Sequence, residues 1–237
     1  MRRVILFPML GLAALAALPL AAQEAAPPAA PATDAGPSIP PAPTQVAAGR
    51  FHLDPAHASL LFRVSHLGFS NYTAQFTGFT ADLAFDPANP EAMTLTAHVD
   101  PKRVETNFKS SDFDMNAIIS GPEFLNAEQF PDISFVSTRV RMVAPDRAAV
   151  TGDLSLHGVT KPITLRVTFN GGYPPQPFDP GGARIGFSAV GTLYRSDFGI
   201  DFGIPAPGTT LGVSDAVEIV IEAEFQNPDA SGAQTGP

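Results

Sequence analysis

The chain has 237 residues, no cysteine and a formal net charge of −9. A nucleic-acid-binding protein needs a basic surface, so this composition argues against a nucleic-acid partner. The acidic balance likewise gives no attraction to anionic lipid surfaces, and the lack of cysteine excludes disulfides and thiolate sites.

The first 22 residues predict a secretory signal peptide. Arg2 and Arg3 precede the apolar run "VILFPMLGLAALAALPLAA", which ends in small residues at Ala22. A basic start, a Leu/Ala-rich centre and a small-residue cleavage site are typical of exported proteins. The run is nearly long enough to cross a bilayer, which leaves an uncleaved membrane anchor as the alternative.

The composition then changes twice along the chain. Residues 23–49 are rich in alanine and proline without apolar periodicity, which predicts a disordered, extended linker. Residues 227–237, "NPDASGAQTGP", predict a disordered tail. A single folded domain is therefore expected over residues 50–226.

Within that domain, apolar and polar residues alternate in short runs separated by turn residues. Clear examples are Leu60–Val64, Met93–Val99, Ile163–Phe169 and Val217–Ala223. This pattern predicts an all-β protein, an antiparallel barrel of about eight strands. The apolar phase slips by one residue at Gly78–Phe79, which predicts a bulge that bends the strand there.

A short helical insertion is expected at "SSDFDMNAIIS", which interrupts the strand pattern. Ser110 and Ser111 are the candidate N-caps of a helix of two to three turns. Asp112 and Asp114 then lie in its first turn, and Gly121 marks its end.

The stretch "SDFGIDFGIPAPGTTLG" predicts a long loop rich in glycine and proline. D-F-G binds magnesium in protein kinases, but the other kinase motifs do not accompany it here. We interpret the stretch as a flap that presents apolar side chains to an apolar surface. These side chains are Phe198, Ile200, Phe202 and Ile204.

The motif "HGVTKP" carries a histidine, a threonine and a lysine, yet it lies between two alternating runs. Gly158 supplies the positive φ of a tight reversal, which predicts a turn with Lys161 in solvent. The five histidines lack metal-ligand spacing and no G-x-S-x-G occurs, so we expect no metal, no cofactor and no catalytic site. The alternative is a hydrolase or isomerase that uses His66 or His157 with a carboxylate.

Phenylalanine is unusually frequent, with 18 residues against three tyrosines and no tryptophan. A barrel of about eight strands either fills its interior with side chains or holds one small ligand. Small residues at alternating positions, if they face inward, leave room for a ligand between apolar walls. These residues are Ala74, Gly152, Ala189 and Gly191.

Several blocks resemble the YceI-like, polyisoprenoid-binding family. They include "FHLDPAHASLLFRVSHLGFSNYTAQFTGF", "VTGDLSLHGVTKPITLRVTFNG" and "VSDAVEIVIEAEFQ", and the resemblance spans residues 51–226 in order. It implies a lipocalin-like barrel, a long internal pocket for an isoprenoid or similar amphiphilic lipid, and a periplasmic location. It transfers no catalytic residues. It departs around "MNAIISGPE", an insertion in the helix that is expected to cap the pocket entrance.

The sequence therefore predicts a non-enzymatic, periplasmic protein that holds a long isoprenoid or quinone-like chain. Polar head-group contacts are expected from His66, Arg195 and Asp197. A docking module for a membrane redox complex is the alternative function, and a homodimer is left open. The predicted ligand-binding residues are Phe62, Val64, Phe76, Leu83, Leu95, Phe113, Ile118, Phe135, Leu156, Leu165, Phe187 and Ile219.

Overall fold

The computed structural model describes residues 45–230, which belong to one compact unit and are almost entirely β-structure. The predicted signal peptide, the linker up to residue 44 and the tail from residue 231 lie outside the described residues. No helix within residues 45–230 has the length and apolar character that a membrane span requires. The strands are β1 (Gly49–His66), β2 (Ser70–Phe76), β3 (Phe79–Phe85), β4 (Thr94–Val99), β5 (Val104–Glu105), β6 (Ile133–Ala144), β7 (Arg147–Leu156), β8 (Val159–Tyr173), β9 (Ala183–Tyr194) and β10 (Val213–Asn227).

The strands form one antiparallel sheet that closes on itself. The order β10-β9-β8-β7-β6-β4-β3-β1 returns to its start because β1 also pairs with β10, which makes an eight-stranded circuit. The short strand β2 pairs with the second half of β1, and β5 pairs with the end of β2. Closure removes exposed sheet edges, and the predicted all-β, lipocalin-like barrel is confirmed.

The predicted bend at Gly78 separates β2 from β3. Strand β1 pairs with β2 through Leu60–His66 and with β3 through Gly49–His52, so the two short strands act as one bent strand. A Cβ atom at Gly78 would lie 2.7 Å from the side chain of Arg103, too close for a larger residue. The phase slip in the sequence therefore marks a bend, as expected.

The helix of the insertion is shorter than predicted. It spans Met115–Ser120, and its N-cap is Asp114, whose carboxylate accepts a hydrogen bond from the Ala117 amide. The predicted N-caps Ser110 and Ser111 lie before the helix. All three residues are good N-caps, and Asp114 is the one followed directly by the helix-forming residues.

Two apolar clusters lie inside the barrel, one towards each end. One lies at the end where β1 begins, here called the N-terminal end, and includes Val46, Phe51 and Phe225. The other lies towards the insertion, here called the helix end, and includes Leu156 and Phe198. Val46 is buried although it precedes the first strand, so the packed chain starts before residue 50.

A network of charged residues centred on Arg184 joins β1, β9 and β10 near the N-terminal end. The Arg184 guanidinium donates to Asp54 (2.6 Å), Glu224 (2.8 Å) and Asp179 (2.9 Å). The hydrogen bonds from Arg184 hold the pKa of Asp54 at about 2, below its ordinary value, and lower the pKa of Asp179 as well. Both carboxylates are thus stabilised in their charged form.

We expect this network to make the barrel lose stability in acid. A depressed pKa contributes stability that is complete above the unfolded-state pKa near 4 and is lost as the pH falls towards 2. For Asp54 this amounts to about 2 kcal/mol. Urea unfolding of wild type and Arg184→Gln between pH 5 and 2 measures it, and the variant should show the weaker pH dependence. Arg63→Gln, which breaks an exposed pair with Glu218, serves as the control and should keep the wild-type slope. Parallel curves for wild type and Arg184→Gln would contradict the assignment.

Candidate functional site: an apolar cavity in the barrel

A cavity of about 460 Å³ lies inside the barrel and is lined by residues of both apolar clusters. Its walls are inward-facing residues of β1, β3, β4, β6, β7, β8, β9 and β10, and its rim is formed by residues of the β3–β4 connection and the β6–β7 turn. A volume of this size falls in the range of small-molecule sites. The lining residues are Leu53, Leu60, Phe79, Ala81, Leu83, Phe85, Pro87, Pro90, Met93, Thr94, Leu95, Ala97, Val99, Ser137, Val140, Met142, Pro145, Asp146, Arg147, Ala148, Val150, Leu165, Val167, Phe169, Phe187, Ala189, Ile221, Ala223 and Phe225.

The cavity wall is apolar except at four described residues. Thr94, Ser137, Asp146 and Arg147 carry its polar side chains. The Ser137 hydroxyl already accepts a hydrogen bond from the Leu95 amide at 2.8 Å. A wall of this kind offers few partners to water or to a polar ligand, so it suits an apolar chain.

The cavity opens at the N-terminal end of the barrel. Its exposed lining residues, Pro87, Thr94, Pro145 and Arg147, belong to the β3–β4 connection and the β6–β7 hairpin. The opening between these two connections is called the mouth below. None of the insertion residues 106–132 lines the cavity, so the expectation that the helix caps the entrance is wrong.

The mouth exists because β4 and β6 separate there. Their ladder covers Thr96–Val99 of β4 and stops before its first two residues. Beyond that point side chains bridge the gap, and Glu91 accepts a hydrogen bond from the Met142 amide at 2.9 Å. The two rims are therefore connected without a continuous backbone ladder.

The twelve residues predicted to bind ligand fall into three places. Leu83, Leu95, Leu165 and Phe187 line the cavity. Phe62, Val64, Phe135, Leu156 and Ile219 belong to the apolar cluster at the helix end, and the tilted ring of Phe76 contacts Phe62 with ring centroids 5.4 Å apart. Phe113 and Ile118 are 46% and 40% exposed on the insertion.

Apart from Ala189, the remaining cavity residues were not predicted to bind ligand. Met93, Met142, Phe169 and Phe225 lie near the strand ends at the mouth. The apolar alternation of β8 continues through Val167 to Phe169, and this pattern could have indicated that Phe169 faces inward. The sequence could not tell which inward positions border free space and which border another side chain.

Small inward-facing residues do not all leave room. A Cβ atom at Gly152 would lie 2.3 Å from the Phe135 ring, and one at Gly191 would lie 2.6 Å from the Leu165 side chain. The larger neighbours thus fill the space that these glycines were expected to provide. Ala189, in contrast, does line the cavity.

The loop after β9 closes the helix end of the barrel. Phe198 and Ile200 are 1% and 4% exposed and pack into the apolar cluster there, as the flap interpretation anticipated. Phe202 is half-exposed and meets the ring of Phe124 edge-on at 5.3 Å. Two of the flap's apolar side chains are therefore core residues and are not available to a partner.

Arg195, a predicted head-group contact, has a structural position instead. It is 6% exposed, and its guanidinium donates to the backbone oxygens of Val213 (2.8 Å), Phe202 (3.0 Å) and Ser214 (3.0 Å). Burial lowers the pKa of Arg195, although an arginine keeps its charge. The side chain fixes the loop at the end opposite the mouth, so the predicted head-group role is wrong.

The "HGVTKP" motif is a two-residue turn between β7 and β8, as predicted. His157 and Gly158 have φ values of 54° and 78°, and the His157 ring bonds the Phe198 carbonyl at 3.0 Å. Lys161 pairs with Asp197 at 2.6 Å, so it is not simply a solvated charge. The turn thus anchors the loop that carries Phe198.

Three other histidines pair with carboxylates at the surface: His52 with Asp82, His57 with Asp54, and His98 with Asp132. Potential ligand atoms of Asp54, His57 and Glu224 lie within 4.8 Å of one another. The Arg184 guanidinium bonds both of these carboxylates, so a cation already occupies that position.

A closed antiparallel barrel with an apolar cavity open at one end defines a lipocalin-like binding fold. The model of the YceI-like domain family matches residues 51–225. UPF0312 proteins of Pseudomonas putida strain F1 and Pseudomonas syringae pv. tomato strain DC3000 are similar in sequence. They are 39% and 40% identical over 163 and 160 residues, which cover 68% and 67% of this chain and 80% and 77% of the relatives. The chain belongs to the YceI-like domain family.

Solved structures share the fold. A Campylobacter jejuni YceI protein matches with a TM-score of 0.56 and 27% identity, over 68% of this chain and 88% of that one. The second is described as a polyisoprenoid binding domain from Saccharophagus degradans implicated in plant cell wall breakdown. It matches with a TM-score of 0.54 and 15% identity, over 75% and 98% of the two chains.

Proposed function

We propose that this protein binds a long isoprenoid or quinone-like chain in the barrel and acts as a lipid carrier in the periplasm. The observation that carries the proposal is the apolar cavity with its single described mouth at the N-terminal end. Membership of the YceI-like family and the polyisoprenoid binding of the S. degradans domain support it. The periplasmic location rests on the predicted signal peptide in residues 1–22.

Burial of the hydrocarbon chain supplies the affinity. Each CH₂-sized group that leaves water for an apolar site contributes about 0.8 kcal/mol. When the chain enters tail first, its apolar groups leave water and pack against Leu83, Phe169 and Phe187. No polar contact is needed deep in the barrel.

The head group of such a ligand stays at the mouth. Thr94, Asp146 and Arg147 are the polar side chains there, and they replace the predicted set of His66, Arg195 and Asp197. The mouth is also the only part of the described cavity wall that offers charge. The apolar interior therefore selects the class of ligand, and these three residues contact its head group.

Native mass spectrometry of protein isolated from the periplasm of the producing cell tests the proposal. We expect a stoichiometric adduct that organic extraction identifies as a polyprenyl or quinone species. A protein that carries no apolar molecule, and that takes up no added isoprenoid from detergent, would overturn it. Finding the protein in the cytoplasmic fraction would overturn the location alone.

A further inference from the structure

Four arginines share one outer face of the barrel beside the mouth. Arg139 and Arg141 lie on β6, Arg147 on β7 and Arg166 on β8. All four are exposed. We propose that this arginine face binds the surface of an anionic phospholipid bilayer and so places the mouth against the membrane. The inference builds on the proposed function, since it names the source from which the apolar ligand enters.

The strand register brings the arginines together. Ala149 on β7 is paired with Arg141 on one side and with Arg166 on the other. Arg147 is two residues from Ala149 and Arg139 two residues from Arg141, so all four point to the same side of the sheet. The small side chain of Ala149 leaves the flanking guanidinium groups uncovered.

Neighbouring carboxylates offset these charges only in part, since Glu91 accepts from the Met142 amide beside Arg141 and Asp146 lies beside Arg147. Within residues 45–230, Arg139, Arg141 and Arg166 form no ion pair, and Arg147 has one long contact of 3.6 Å with Asp146. Asp153, the other outward-facing carboxylate of β7, lies further towards the helix end. A positive field therefore remains on this face although the whole chain is acidic.

The acidic residues of the outer wall gather elsewhere. Glu218, Glu222 and Glu224 follow one another along the outside of β10, three strands away from β7. Two of them are engaged by Arg63 and Arg184. Basic and acidic residues are thus separated on the barrel wall, and the arginine face is the part of it that attracts an anionic surface.

The hairpin between β6 and β7 adds two exposed apolar residues beside the arginine face. Val143 is 55% exposed and Pro145 is exposed, and the turn also carries Asp146, whose carboxylate lies 3.6 Å from Arg147. Exposed apolar residues flanked by basic ones suit the bilayer interface, where the apolar side chains enter the head-group region and the guanidinium groups bond phosphates. The same hairpin forms one rim of the mouth, so docking there presents the cavity to lipid.

Vesicle flotation tests this proposal. The protein isolated from the producing cell is mixed with vesicles of phosphatidylcholine alone or with 40 mol% phosphatidylglycerol added. We expect binding to the anionic vesicles that weakens with salt, and little binding to the neutral ones. Arg141→Gln/Arg166→Gln should weaken binding by about 25-fold, roughly fivefold for each arginine near the surface.

The control variant is Arg63→Gln/Lys102→Gln, which changes the net charge equally outside the arginine face. Each variant carries the same N-terminus, so any contribution of residues 4–22 cancels. Equal loss in both variants, or equal binding to neutral vesicles, would overturn the proposal. The proposal would also be overturned if the wild-type protein did not bind anionic vesicles but bound an acidic protein through the same face. If vesicle binding fails while the purified protein still carries an apolar ligand, docking is wrong and the lipid-carrier function stands.

Discussion

Ala189→Phe is expected to lower the affinity for an isoprenoid chain by about 100-fold. Ala189 faces the cavity from β9, between Val167 of β8 and Ile221 of β10, which also line it. A phenyl ring at this position takes the space of about four CH₂-sized groups of ligand. At about 0.8 kcal/mol each, the loss is about 3 kcal/mol. Ligand retained per protein, measured by native mass spectrometry and by uptake of a fluorescent isoprenoid, reports the change.

The matched control is Thr192→Phe on the same strand. Thr192 points outward and is exposed, so its replacement by phenylalanine adds the same ring outside the barrel. We expect wild-type ligand content in this variant and wild-type circular dichroism in both. If Ala189→Phe keeps its full ligand content, the chain does not occupy the cavity and the proposed function fails.

Phe198→Ala is expected to cost about 3–5 kcal/mol of unfolding free energy. The ring is 1% exposed and closes the helix end of the barrel together with Leu156 and Leu193. Truncating a buried phenylalanine removes apolar burial and leaves a cavity, which is among the most destabilising single changes. Because small domains are stable by only about 5–15 kcal/mol, the variant should unfold at far lower urea concentration.

Phe202→Ala in the same loop provides the comparison. This ring is 53% exposed and meets one neighbouring ring, Phe124, so its removal should change the unfolding free energy by less than about 1 kcal/mol. The flap would then contain one structural and one dispensable phenylalanine four residues apart. Equal effects of the two substitutions would show that Phe198 does not seal the barrel.

Local patterns in the sequence predicted most of the fold. Alternation gave the antiparallel strands, the phase slip at Gly78 located the bend, and Gly158 located the β7–β8 turn. These features are local, because each depends on residues adjacent along the chain. The start of the helix was misplaced because Ser110, Ser111 and Asp114 are equally competent N-caps.

The candidate site was predicted only in part. Alternation states that Leu156, Leu165 and Phe169 share an inward face, but it does not state what lies opposite each. The loop carrying Phe198 fills the barrel beside Leu156, whereas the gap between β4 and β6 leaves the region near Phe169 open. These differences come from segments distant in sequence, which single-strand periodicity does not report.

Composition and alternation alone thus predicted an acidic, Phe-rich barrel with an apolar interior. Tertiary structure decided where that interior is empty, which end opens, and that Arg195 holds a loop in place of a ligand. It also decided where the charges lie, and the proposed membrane docking rests on that placement. Strand register collects Arg141, Arg147 and Arg166 on one face, while the carboxylates of β10 lie on another. A sum of charges has no direction, but a membrane responds to the field of the nearest face.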